Sequence, residues 1–423
     1  MVYQPPAGAR DLLPLDVAQK RWIEDRLQQV FHRWGYHRII TSTLERLDTL
    51  MAGGAIQRST VLQLQDADDE QLGLRPELTA SIARTAVTRM AGSTHPLRLY
   101  YNANVFRRAS EGGHSRQQEF YQAGVELVGA GGLLADAEVL LLVLDCLRNL
   151  GLQQWSVILG EAGLTRSLLS IFPTALRDKV RQAIARLDRL TLEALPMSPA
   201  LRERAMLLLD LRGRPTDVLQ RLATIDLDAS QQEAVNNLKS LVDLLQTSDR
   251  PDHLAPSPNN LILDLSLIRT LDYYTGVVFE VVSTSATGQQ VLGQGGRYDQ
   301  LLGLYHPEGQ TYPGIGFALQ IEHLHQVLLP TGQLPQQTTT SDWLIVPDSP
   351  QAYTAALAYA QTLRDSATVP TVELDLGGRN AAAIHEYARR RRIAQVAWVK
   401  PDGKTVIETV SQPLQSDEPL DCG

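Results

Sequence analysis

Residues 119–127 read EFYQAGVEL, and the alternation of their side chains decides how the rest of the chain is read. With period two, Tyr121, Ala123, Val125 and Leu127 fall on one face of a strand and Gln122, Gly124 and Glu126 on the other. An ordinary half-buried strand gives the same alternation. What sets this one apart is Gly124 between a carboxamide and a carboxylate, which predicts an open space beside the strand where a ligand can lie. Upstream stand LRLYYNANVF (97–106) and a polar loop, RRASEGGHSR (107–116), so residues 97–128 predict a long antiparallel hairpin.

Working outward, Trp22, Ile23, Leu27, Val30, Phe31 and Trp34 recur at three and four residues and predict an amphipathic helix from Asp16 to Trp34. Asp16 with Gln19 reads as its capping box, and Gly35 ends it. A strand through Ile39 and Ile40 and a helix from Pro76 to Met90 follow, the second started by proline at its first position. Strand signal at Trp155–Leu159 precedes a helical stretch from Leu164 to Leu245, broken at Pro173, Pro196, Pro199 and Pro215. Three strands come next, LILDLSLI (261–268), GVVFEVVS (276–283) and QQVLGQ (289–294), and then a helix over Gly316–Leu328. LPTGQLPQQTTTS (329–341) has no apolar period and marks a domain boundary. Beyond it strands WLIVP, TVELDL, QVAWVK and TVIETV alternate with helices near 352–364 and 381–392, a small α/β domain with a hairpin turn at Asp402-Gly403. Residues after Gln412 read as a disordered acidic tail.

A chain of 423 residues with 43% hydrophobic and 20% charged residues is a globular protein of about three domains, not a disordered one. Two cysteines, Cys146 and Cys422, exclude a disulfide framework and cysteine-based zinc sites. The longest apolar run, Val139–Leu144, is far short of the ~18 residues of a membrane span. The start, MVYQPPAGARDLLP, lacks the charged-then-apolar order of a signal peptide and predicts a cytoplasmic protein. With 39 Lys and Arg against 47 Asp and Glu, the net charge of −8 disfavours a life spent on phosphate contacts. No cofactor or metal motif stands. Gly403-Lys-Thr405 lacks the glycine five residues upstream, where Trp398 sits, and His323 and His325 point to different sides of a helix. Arg389–Arg392 reads as a solvated helix face, and Gly293–Arg297 is glycine-rich without a dinucleotide pattern.

RPELTA (75–80), FRR (106–108), EFYQAGVEL (119–127), RTLDYYTGVVFE (269–280), GGRYD (295–299) and GIGFALQIEH (314–323) occur in one order. Together they resemble the catalytic core of histidyl-tRNA synthetase, a class II aminoacyl-tRNA synthetase, over about residues 5–330. The resemblance implies an α+β fold: an antiparallel sheet flanked by helices (1–162 and 256–330) with a helical insertion (163–255). A linker (331–341), a small α/β domain resembling a shortened anticodon-binding domain (342–412) and a tail (413–423) would follow. It also implies a homodimer through the core. Carried over residue by residue, Glu77, Thr79 and Gln122 match the groups that hold the ammonium of histidine. Glu126 and Tyr274 match those flanking its imidazole, Arg107 and Arg269 lie near its carboxylate, and Tyr273 and Tyr298 line the site. The chemistry suits the ligand, whose ammonium wants acceptors, whose carboxylate wants arginine and whose ring can donate to glutamate.

The nucleotide half departs from the family pattern. Arg108 and Ala109 follow Arg107 where the family has His-Glu, and Gln320-Ile-Glu-His323 replaces Gly-x-Glu-Arg. Arg116 still fits a triphosphate-contacting position, while Ser42 replaces the proline of the first class II motif. Losing one preorganised charge donor typically lowers a rate by on the order of 10²–10³, so several losses imply that amino-acid activation is gone. A histidine pocket without an ATP pocket resembles the regulatory-subunit paralogues of this family, which serve ATP phosphoribosyltransferase in the first step of histidine biosynthesis. That likeness implies no catalytic residue, free histidine as ligand, and a hetero-oligomer with a short-form catalytic subunit. Neither tRNA nor membrane is expected as a partner. The rival readings are a divergent, active histidyl-tRNA synthetase and an unrelated aminoacyl ligase on the same scaffold.

Overall fold

The computed structural model describes residues 4–54, 56–65, 70–108, 117–247, 260–267, 273–285 and 288–410. Two compact units result, Met1–Gln336 and Gln337–Gly423.

The first unit opens with α1 (Pro14–Arg33), which buries Ile23, Leu27, Val30 and Phe31 as one stripe. It starts two residues before Asp16 because Pro14 takes the first helical position. Asp16 then caps from inside, accepting from the Leu13 N–H at 2.9 Å, and Gln19 has other work, donating to the Pro335 carbonyl. β1 (His37–Arg38) is only two residues long; Ile39 and Ile40 lie beyond it, Ile40 exposed. Next come β2 (Leu44–Arg46), α2 (Leu47–Met51), β3 (Leu62–Gln65) and β4 (Gln71–Leu74). The three strands form a small sheet in the order β2-β4-β3, for which no element was expected, since strands this short carry almost no period. Helix α3 (Thr79–Thr88) begins three residues after Pro76, because the Glu77 carboxylate accepts from the N–H groups of Thr79 (2.6 Å) and Ala80 (2.9 Å) and so ends the turn that precedes it.

The hairpin stands as expected, β5 (Leu97–Phe106) against β6 (Glu119–Val128), followed by α4 (Leu133–Asn149) and β7 (Ser156–Glu161). The helical stretch comprises α5 (Ala162–Leu169), α6 (Thr174–Ala185), α7 (Arg189–Ala194), α8 (Pro199–Leu209), α9 (Pro215–Leu222) and α10 (Ala229–Thr247), with a two-residue β8 (Arg212–Gly213) between α8 and α9. β9 (Leu261–Asp264), β10 (Val277–Ser285), β11 (Gly288–Arg297), β12 (Gly314–Gln320) and α11 (Ile321–Leu328) complete the unit. The helix expected over Gly316–Leu328 is therefore half strand. Glycines at 314 and 316 let that segment slot between β6 and β11, and the ladder partners outweigh a helical period shared only by its second half. The presumed linker also starts late, since Leu334 is buried in the core of the first unit.

Nine strands form one sheet in the order β1-β5-β6-β12-β11-β10-β7-β9-β8, antiparallel except for β1 with β5 and β7 with β9. One face, carrying Ala123, Val125, Leu127, Phe279 and Leu319, packs into the main core with α1, α4 and α11. The other, carrying Leu99 and Tyr101, is covered by Leu78, by Ile82 of α3, and by Tyr273 and Tyr298. Polar residues of β6 point to this second face, so the site is built where a helix closes over a sheet.

Arg75 ties the approach to α3 in place. Its buried guanidinium donates to the carbonyls of Thr41 (2.9 Å), Ser42 (3.2 Å) and Asn104 (3.0 Å). Arg75→Ala would leave these acceptors unpaired and is expected to lower stability by about 3 kcal/mol in urea denaturation. An unchanged midpoint would refute that role.

In the second unit β13 (Trp343–Pro347), α12 (Tyr353–Arg364), β14 (Val372–Leu374), α13 (Ala381–Arg390), β15 (Gln395–Val399) and β16 (Thr405–Thr409) alternate as expected, with sheet order β14-β13-β15-β16. Gly403, at φ +81°, makes the turn between the last two strands. Arg389 and Arg390 pair with Glu386 on the outer face of α13, which accounts for the arginine run. Residues from 411 on, including the expected tail, lie outside the described residues.

Candidate functional site

The ladder of the large sheet sets out the floor of the site. Tyr101, Gly124, Ala318 and Gln294 are mutual cross-strand partners on β5, β6, β12 and β11, and Glu126, Gly316 and Gly296 form the next row. Partners in a ladder share a face, and the small residues at 124, 296 and 316 make room for the Tyr101 ring, the Tyr274 ring and the Glu126 carboxylate, with Gly316 and Ala318 at the edge of the hollow that remains. The walls come from the turn Pro76–Thr79, from Arg107 at the end of the hairpin arm, and from Tyr273, Tyr274 and Tyr298. A cavity of about 220 Å³ lies among them. That is below the roughly 300 Å³ at which pockets begin to hold drug-sized ligands, and suits an occupant of amino-acid size.

Seven of the nine expected residues line this cavity: Glu77, Thr79, Arg107, Gln122, Tyr273, Tyr274 and Tyr298. Glu126 lies directly beneath, accepting from the Thr79 hydroxyl at 2.7 Å and from the Tyr298 hydroxyl. Arg269 and Arg116 lie outside the described residues, as does Ala109. The space predicted beside Gly124 is real but already taken. The Tyr101 ring fills it, and a Cβ at 124 would come within 2.6 Å of the Tyr101 hydroxyl, so the cavity opens past that ring. Tyr101 and Gln294 escaped the sequence reading; for Tyr101 the signal was available, because a hairpin of this register places it opposite Gly124.

Among the described residues the site is short of positive charge. Gln122 and Glu126 are each 1% exposed, and among the described residues the Gln122 carbonyl oxygen has no hydrogen-bond partner. Burial pushes the Glu126 carboxyl up to about 8, with Glu77 nearby adding to the rise and the two hydroxyl donors opposing it. Burial also raises Glu77, against the two helix N–H groups, the Thr79 hydroxyl and Arg107. Arg107 is anchored by donating to the Pro76 carbonyl at 2.9 Å, and it balances Glu77. The tyrosines pack edge to face, Tyr273 against Tyr274 at 5.0 Å and against Tyr298 at 6.0 Å, and burial keeps their hydroxyls neutral. Among the described residues, two buried carboxyl groups, an amide oxygen without a partner and one guanidinium can receive an ammonium group, a second nitrogen donor and a carboxylate.

One departure in the nucleotide half takes a structural role: His323 bonds the Val291 carbonyl through Nδ1 at 2.6 Å, while the retained Glu322 accepts from the Tyr121 N–H. Among the described residues no group of three His, Cys, Asp or Glu side chains could hold a metal ion.

The sequence pattern of the family described as Histidyl-tRNA synthetase matches residues 8–324. An ATP phosphoribosyltransferase regulatory subunit from Nostoc sp. (strain PCC 7120) is 67% identical over 412 residues, 97% of this chain and all of the relative. This chain belongs to the regulatory-subunit branch of the histidyl-tRNA synthetase family. The histidyl-tRNA synthetase of Nostoc sp. PCC 7120 makes the contrast: its crystal structure shares the fold, with a TM-score of 0.74 over 96% of this chain and 97% of that one, yet the two are only 20% identical. A structure from Bacillus halodurans described as an ATP phosphoribosyltransferase regulatory subunit/histidyl-tRNA synthetase superposes with a TM-score of 0.78 at 27% identity, covering 95% of this chain and 99% of that one. Membership of the regulatory-subunit branch favours a non-catalytic protein over a divergent synthetase, in line with the altered nucleotide half.

Proposed function

We propose that this chain is the regulatory subunit of an ATP phosphoribosyltransferase complex and that its buried cavity binds free histidine as the end-product signal. The Gln122 oxygen, buried and without a partner among the described residues, carries this reading, because an orphaned acceptor in the cavity that Glu77 also lines is satisfied by a ligand ammonium. Glu77 and Thr79 complete the ammonium site, Glu126 and Tyr274 hold the imidazole, and Arg107, joined by Arg269, meets the carboxylate. Each charge-assisted bond is worth roughly 1.5–3 kcal/mol. Feedback requires histidine to bind the inhibited assembly more tightly than the active one, and a coupling of roughly 1–3 kcal/mol suffices.

The partner in this reading is a short-form catalytic subunit, which supplies all the catalytic residues; tRNA has no role. A homodimer through the core is supported by the small sheet, where Leu44, Leu62 and Leu74 stand in register beside Leu64 and Leu72, with Leu44 and Leu64 nearly half exposed. No helix among the described residues is long and apolar enough to cross a membrane.

Two measurements test the proposal. Calorimetry is expected to show one histidine bound per chain, and histidine-dependent ATP–pyrophosphate exchange is expected to be absent. Exchange at synthetase-like rates overturns the regulatory reading; failure to co-purify with a short-form catalytic subunit, with or without histidine, overturns the partner.

A further inference from the structure

Two tyrosines of the cavity wall are held from outside the cavity. Tyr273 and Tyr274 line it, and the backbone that carries them on to Gly276 turns its carbonyls towards α5, the first helix of the insertion. The Tyr274 carbonyl accepts from the Arg166 guanidinium at 2.8 Å, and the Gly276 carbonyl accepts from the Ala162 N–H at 2.8 Å. Between them, the Thr275 carbonyl lies so close to α5 that a Cβ on Gly163 would come within 2.9 Å of it. Ala162 and Arg166 are four residues apart and share a face of the helix, so three successive carbonyls rest on that face. On the other side, the Thr275 N–H donates to the Arg297 carbonyl at 2.7 Å, directly before Tyr298. Helix α10 of the insertion does not fill the space beside this segment. It leaves a cavity of about 390 Å³ next to Gly276 and Val277, bordered on its own side by Ala234, Leu238 and Leu241.

We propose that Arg166 is a positioning residue for the histidine site, fixing the Tyr274 ring at the cavity by way of the Tyr274 carbonyl; this rests on the histidine reading above. The ring packs on Gly296 and, edge to face, on Tyr273, contacts that tolerate small shifts. A hydrogen bond to the carbonyl of the same residue is directional, and it fixes the peptide plane from which the ring projects. Arg166 is exposed, so without it water reaches the carbonyl and the fold loses little. The bond also joins the ligand site to the insertion. A histidine that holds the Tyr274 hydroxyl steadies the carbonyls on which α5 rests, and by reciprocity α5 steadies the site for histidine.

The test is calorimetry and hydrogen exchange on the full chain, with and without histidine. Arg166→Ala is expected to weaken histidine about fivefold, the low end of ordinary coupling between sites, with an unchanged urea midpoint. Arg166→Lys keeps a donor for the carbonyl and should recover part of that loss. The Ala162 amide, bonded to Gly276, reports the contact directly. In wild type, saturating histidine should slow exchange at the start of α5 about fivefold, and in Arg166→Ala that slowing should be lost. A residue that only supported the fold would move the urea midpoint and the exchange of the free protein, not the response to ligand. Unchanged histidine affinity in Arg166→Ala, no recovery in Arg166→Lys, or the same response of α5 in both proteins overturns the assignment of Arg166. No binding of histidine by wild type overturns the histidine reading itself, and this proposal with it.

Discussion

Glu126→Gln is expected to abolish most histidine binding while making the ligand-free protein more stable. Burial holds the Glu126 carboxyl at about 8, against 4.5 for a free glutamate, so at pH 7 the folded chain keeps a proton that the unfolded chain has released. That difference costs about 3 kcal/mol. The sign follows from the direction of the shift. The penalty is absent below the unfolded value near 4.5, grows as pH rises, and is complete above about 8. Glutamine has nothing to titrate, so the variant should melt higher than wild type at pH 8 and alike at pH 4.5. Its histidine affinity should fall on the order of 100-fold, the worth of a charge-assisted bond. Wild-type binding should itself be bell-shaped in pH, because the complex holds one proton between Glu126 and the ring. Below about 6.5 the free ligand carries an extra proton that must be released, and above about 8 the empty site has lost its own. Affinity then falls by up to about tenfold per pH unit on either side. Glu126→Gln should remove the basic limb alone. A variant that binds histidine as wild type does, or one without a gain in stability at pH 8, would sink this account of Glu126.

Gly316→Ala is expected to destroy the site from below. Gly316 is the ladder partner of Glu126, and a methyl there would overlap both the Glu126 carboxylate and the Val125 carbonyl. Neither can yield easily. The carbonyl belongs to the ladder of a central strand, and the carboxylate is fixed by Thr79 and Tyr298. Overpacking of this kind typically costs 1–3 kcal/mol, and displacement of two hydroxyl bonds adds to it, so a loss of about 3 kcal/mol or more is expected in urea denaturation. Histidine binding should vanish with it, because the Glu126 carboxyl that holds the ring in this reading is pushed out of place. Wild-type stability together with wild-type affinity would show that the glycine is dispensable.

Both predictions turn on residues that the sequence had placed differently in importance. Glu126 was legible from alternation in a single strand and from the order of motifs around it. Gly316 was read inside a helix, because GIGFALQIEH changes from strand to helix at Gln320 without any breaker to mark the change. Glu77 shows the reverse. Its place in RPELTA singled it out for the ammonium, but only the structure shows that it also caps α3 through two backbone N–H groups, so one carboxylate fixes the helix and faces the cavity. The three-stranded sheet of β2, β3 and β4 was invisible for another reason: its pattern belongs to pairs of strands, not to any one of them.

The sequence by itself determined the hairpin, the alternating second unit, the cavity-facing side of β6 and the loss of the nucleotide motifs, because each rests on a local period or on residue types at fixed spacing. Only the tertiary structure decided the rest. Whether Gly124 leaves room for a ligand depends on the Tyr101 ring from the neighbouring strand, and how strongly Glu126 holds its proton depends on what covers it. Burial and register are properties of pairs of segments brought together from distant parts of the chain, and no single stretch of sequence carries them.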